Sequence, residues 1–135
     1  MIICLSNIIF YNSSYAHDAD GYLPITASAT NVWFVSCSDD GNGVPTTLEV
    51  AVDNKTAKGP MLSLQVITYE NTPKFFNLSD PIGGDSIPSS QISSGFGGNH
   101  LIVVDKSGIG VLSYHFSYHC MSNGTHTGTD IQQIQ

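Results

Sequence analysis

The chain contains no arginine, and four lysines are its only permanently basic side chains. Lys55, Lys58, Lys74 and Lys106 are scattered along it. Nucleic-acid phosphates are held by clustered Lys and Arg, so this scatter argues against a nucleic-acid partner. A net charge of −7 likewise disfavours an anionic membrane surface. Charged residues make up 11% of the chain, against roughly a quarter in an average soluble domain. The solvated surface must therefore be built from Ser, Thr, Asn and Gly. No apolar run approaches the roughly 20 residues of a membrane-spanning helix, and no stretch carries a convincing helical period.

Apolar residues make up 41% of 135 residues. By length this is one domain, able to bury roughly 60–70% of its unfolded surface. Ile2, Ile3, Leu5, Ile8 and Ile9 crowd the first ten positions. Ser14-Tyr15-Ala16 follows, a small-x-small pattern after which signal peptidases cut. No Lys or Arg precedes the apolar stretch, a departure from the usual signal. Residues 1–16 are read as a signal peptide and residues 17–135 as a single domain beginning at His17. The expected location is secreted or periplasmic, with no membrane insertion of the mature chain. Cys4 would leave with the signal, so Cys37 and Cys120 remain as an even pair in an oxidising compartment.

The mature chain alternates as strands do. Ile25, Ala27 and Ala29 suggest a first strand. Trp33, Val35 and Cys37 form one face of a second, and Leu48, Val50 and Val52 one face of a third. Leu62, Leu64 and Val66 alternate with Ser63 and Gln65. Leu101 to Val104 is continuously apolar and predicts a central strand buried on both faces. Leu112, Tyr114, Phe116, Tyr118 and Cys120 form one face of the clearest strand, with Ser113, His115, Ser117 and His119 on the other. Asn123-Gly124 is a tight-turn signal, after which residues 125–133 can pair back. Between them, residues 70–99 hold Pro73, Pro81, Pro88 and five Gly. This segment reads as a long loop that contains a short edge strand at Lys74-Phe75-Phe76-Asn77-Leu78.

Seven or eight such strands predict an all-β, two-layer antiparallel sandwich. Cys37 and Cys120 end inward-facing rows, so they can meet inside as a disulfide. Closing that loop stabilises a fold by about 4–5 kcal/mol in the chain-entropy model. Trp33 lies near the first Cys, and Tyr118 stands two residues before the second, as in a tyrosine corner. In these residues the chain resembles immunoglobulin-like sandwiches in architecture.

Candidate chemistry is sparse. His115 and His119 share a face but lie about 13 Å apart on a strand. His126 can fold back across the Asn123-Gly124 turn towards His119. A zinc or copper site is therefore conceivable at His119 and His126, completed by His100 or Asp130. Cys120, His126 and Met121 invite a copper electron-transfer reading, which fails if Cys120 is in a disulfide. Asp39-Asp40-Gly41-Asn42-Gly43 resembles a calcium loop superficially but misses the EF-hand spacing. Gly95 to His100 precedes a strand, where a phosphate loop follows one. Ser, His and Asp are present without a nucleophile-elbow pattern, so a small hydrolase remains an alternative without a named triad. Asn54-Lys55-Thr56, Asn77-Leu78-Ser79 and Asn123-Gly124-Thr125 match the glycosylation pattern.

The function expected from these residues is non-catalytic binding of a protein or a glycan, with no cofactor. The expected ligand-binding residues are Phe75, Phe76 and Asn77, on the segment 70–99.

Overall fold

The structure is a computed structural model that describes residues 17–69, 74–85, 87–94 and 98–135. The signal-peptide reading of residues 1–16 lies outside the described residues, as does the core of the Gly95–Gly98 stretch. The described residues form β1 (Asp18–Leu23), β2 (Asn31–Ser38), β3 (Thr47–Asn54), β4 (Leu62–Thr68) and β5 (Lys74–Asp80). They continue with β6 (Ser89–Ser94), β7 (Asn99–Lys106), β8 (Leu112–Ser122), β9 (Thr125–His126) and β10 (Gly128–Gln133).

Two antiparallel sheets pack face to face. One runs β1-β8-β3-β6, with the short β9 also on β8; the other runs β10-β2-β7-β4-β5. The pairing has a simple rule. β1 pairs with β8, β2 with β7, β3 with β6 and β4 with β5. The first eight strands thus form one long antiparallel ribbon folded over itself, which is the strand order of a jelly roll. β10 extends the second sheet beyond β2. The likeness to immunoglobulin-like sandwiches holds for the layers and the inter-sheet disulfide; the strand order is the jelly roll's own.

Alternation explains the core. Val35, Leu48, Val50, Val52, Leu64, Val66, Ile102, Val104, Leu112 and Phe116 point between the sheets and are buried. The Trp33 ring packs on Phe116 at 5.2 Å, and Phe116 on Tyr118 at 5.3 Å. The Tyr114 hydroxyl accepts hydrogen bonds from Asn31 Nδ2 at 2.8 Å and Trp33 Nε1 at 3.1 Å. Two buried donors that would each cost about 1–3 kcal/mol unpaired are thereby satisfied. Cys37 on β2 and Cys120 on β8 are bonded, with Cα atoms 5.6 Å apart, so the disulfide joins one sheet to the other. Asn123 and Gly124 both take positive φ, 48° and 84°, the conformation that a tight hairpin turn needs.

Three expectations need correction. The first strand is Asp18–Leu23, not the Ile25–Thr30 stretch, whose Ile25 is exposed. The segment 70–99 holds the expected edge strand, β5, but is not otherwise one long loop, for it also supplies β6. β7 is central in its sheet but buried on one face only: Ile102 and Val104 are buried, while Leu101 and Val103 on the outer face remain partly exposed.

Candidate functional site

The outer face of the second sheet carries an apolar row set by register. Phe34 lies opposite Leu101, Leu101 opposite Ile67, and Ile67 opposite Phe75. With neighbouring strands about 4.8 Å apart, the row is roughly 15 Å across. Phe75, at its end on edge strand β5, is 67% exposed. The next row runs Val32, Val103, Gln65, Asn77. Ile134, exposed, extends it through a backbone bond to Val32. Phe34, Ile67, Leu101 and Val103 are each partly exposed along this face.

The expected ligand-binding residues divide here. Phe75 and Asn77 are exposed on this face. Phe76 points the other way, half-buried and packed against the core, so it belongs to the fold. Phe34, Ile67, Leu101 and Val103 were missed as surface residues. Their signal lay in the positions that alternate with the core-facing residues of each strand.

The histidines gather on the first sheet. The turn at Asn123-Gly124 brings His126 against His119, with ring centroids 4.5 Å apart. His17 joins them from β1's start, its ring 6.0 Å from Tyr118 and 6.3 Å from His119. Nδ1 of His119 is buried without a hydrogen-bond partner. Burial pushes the His119 pKa below its ordinary value, as do the nearby His126 and His17 rings, while Glu49 and Asp18 oppose the shift. Cys120 is no ligand, because its sulfur is in the disulfide, so the copper–thiolate reading is excluded. His100 and Asp130 do not complete the site either. They lie on β7 and β10 of the other sheet, and His100 is buried with its Nδ1 3.0 Å from Thr68 Oγ1.

His115 stands apart, with Nδ1 2.8 Å from Asp20 and Nε2 3.7 Å from Asp18. Both nitrogens face carboxylates, where a base for a serine nucleophile needs one of them at the hydroxyl. Among the described residues, one set of three His, Cys or carboxylate donors lies within 4.8 Å of one another: Asp53, Asp80 and Asp85. Asp53 pairs with Lys55. Asp80 accepts the backbone N–H of Asn54 at 2.9 Å and of Ile82 at 3.3 Å. These carboxylates clasp the β3–β4 connection to the β5–β6 connection. The Asp39–Gly43 loop likewise closes on itself, Asp39 Oδ1 accepting from the N–H groups of Gly41 and Gly43. Of the three glycosylation patterns, Asn54 is buried and its Oδ1 accepts the Thr56 N–H, while Asn77 and Asn123 are exposed. No helix among the described residues is long and apolar enough to cross a membrane. None of the protein-family models, curated proteins or solved structures compared with this chain matches it.

Proposed function

We propose that this chain is an exported, non-catalytic binding module that docks a protein partner on the outer face of the β10-β2-β7-β4-β5 sheet. The observation that carries the reading is the Phe34–Leu101–Ile67–Phe75 row on the outer face of the sheet, partly exposed along its length and 67% exposed at Phe75. Contiguous exposed apolar surface rimmed by polar residues marks interaction sites. A protein suits it better than a glycan. Sugar hydroxyls need hydrogen-bonding side chains, and these two rows offer only Gln65, Asn77 and, opposite Phe34 on β10, Gln132. The buried Cys37–Cys120 disulfide supports an oxidising compartment, in keeping with export.

The test is site-specific photocrosslinking in the source cells, from a photoreactive residue at position 75 and, as a control, at Tyr22 on the opposite sheet. A discrete crosslinked protein is expected from position 75 and not from position 22. It should vanish when Ile67→Ser is added. Phe75→Ala should leave stability within about 0.5 kcal/mol, as surface changes do. Equal crosslinking from both positions, or a melting temperature lowered by Phe75→Ala as much as by a core change, would overturn the reading.

A further inference from the structure

The histidines around His119 play no part in that docking face, and two strand ends meet there. β1 and β9 pair in succession along the same edge of β8. Asp18 lies opposite Ser117, and the Tyr118 N–H donates to the His17 carbonyl at 2.8 Å. Further along, the Thr127 N–H donates to the Cys120 carbonyl at 2.9 Å, and His126 lies opposite Met121. The start of β1 therefore abuts the end of β9 at the level of His119. Cleavage after Ala16 would leave the new α-amino group at this junction.

We infer that, in the chain beginning at His17, the His17 α-amine and the imidazoles of His17, His119 and His126 bind one Cu(II) ion; this rests on the export reading for its amine. Three observations carry the site. First, two imidazoles on one ion at about 2 Å have centroids roughly 4.5 Å apart when at right angles and roughly 6 Å when opposite. The His119–His126 spacing of 4.5 Å corresponds to the first case, and the His17 ring, 6.3 Å from that of His119, is near enough to join after a side-chain rotation. Second, the buried Nδ1 of His119 has no partner, an arrangement that a bound cation relieves. Third, Glu49 lies directly opposite His119 in register and supplies compensating negative charge beside the ion.

The donor set decides the metal. All its ligands are nitrogens, with no thiolate, and among divalent first-row ions such sets hold Cu(II) most tightly. An amino-terminal histidine can chelate through its amine and its ring together. Its amine, with an ordinary pKa of about 7.7–8.0, gives up its proton to the metal near neutral pH. His17 closes the site by a side-chain rotation that exchanges its packing on Tyr118 for the ion.

The test compares Cu(II) binding by two proteins: the full chain, and a chain released from a fusion partner so that it begins at His17. All ten strands lie within residues 17–135, and matching melting temperatures would verify that both are folded. Titration of the shorter chain should show one Cu(II) per molecule. Its electron paramagnetic resonance spectrum should show splitting from several nitrogens, and binding should be at least tenfold tighter than in the full chain. His119→Ala and His126→Ala should each weaken binding at least tenfold, whereas His115→Ala should not. Zn(II) should bind more weakly than Cu(II). Failure to bind one equivalent, equal affinity in the two chains, or indifference to both His119→Ala and His126→Ala would overturn the site. The amino terminus of the exported protein, read by mass spectrometry, tests the export reading separately.

Discussion

At the scale of single residues, His119 shows how a surface position becomes a sensitive one. It lies on the outer face of β8, yet burial and the rings of His126 and His17 lower its pKa. In the folded chain the ring therefore resists protonation, while the unfolded chain takes up its proton near pH 6.5. The unfolded state binds more protons as pH falls below that value, so this contribution to stability is full above about pH 6.5 and is lost as pH drops through the lower folded value. The metal-free protein's urea midpoint should fall between about pH 7.5 and pH 5, and His119→Gln should flatten that fall. Parallel pH profiles for the two proteins would remove His119 as the cause. The approach of His126 was legible, because Asn-Gly between alternating segments specifies a tight turn of known reach. The arrival of His17 was not, because it depends on which edge β1 selects.

At the scale of elements, β1 is the strand that propensity misses. Asp18-Ala19-Asp20-Gly21-Tyr22-Leu23 has few strand formers, and it is a strand because the edge of β8 offers it a ladder. Its Gly21 sits against the Tyr114 ring, and a Cβ there would lie 2.0 Å from Cζ. Tyr114 cannot step aside freely, since its hydroxyl is held by Asn31 and Trp33. Replacing a strand glycine by alanine is ordinarily favourable, as the unfolded chain loses entropy. Here Gly21→Ala should instead cost about 2–4 kcal/mol, from overpacking and unpaired donors. A chemical-denaturation midpoint equal to that of the native protein would show that Tyr114 is not pinned. Lys106 is another element-level device: its Nζ donates to the Pro24 and Gly110 carbonyls, tying the β1–β2 connection to the β7–β8 connection.

At the scale of the whole molecule, the disulfide cross-links the two sheets, joining β2 to β8 across 83 positions. In the chain-entropy model its loss costs about 4–5 kcal/mol. Replacing both Cys37 and Cys120 by Ser should lower stability by several kcal/mol, read from unfolding curves of the two proteins. An unchanged midpoint would mean that the packed sheets alone carry the fold. The all-β class, the disulfide pairing and most strand positions were legible in the sequence. Side-chain alternation, turn chemistry and cysteine count are local, and a period of two decides which residues face inward wherever the strand lies. The strand order, the pairing of β1 with β8 and the gathering of His17, His119 and His126 were decided by tertiary structure alone. So was the open outer face of β7, where Leu101 and Val103 read as buried until the layers were known. These depend on which edges meet across long stretches of chain, and alternation along one strand carries no information about its neighbour.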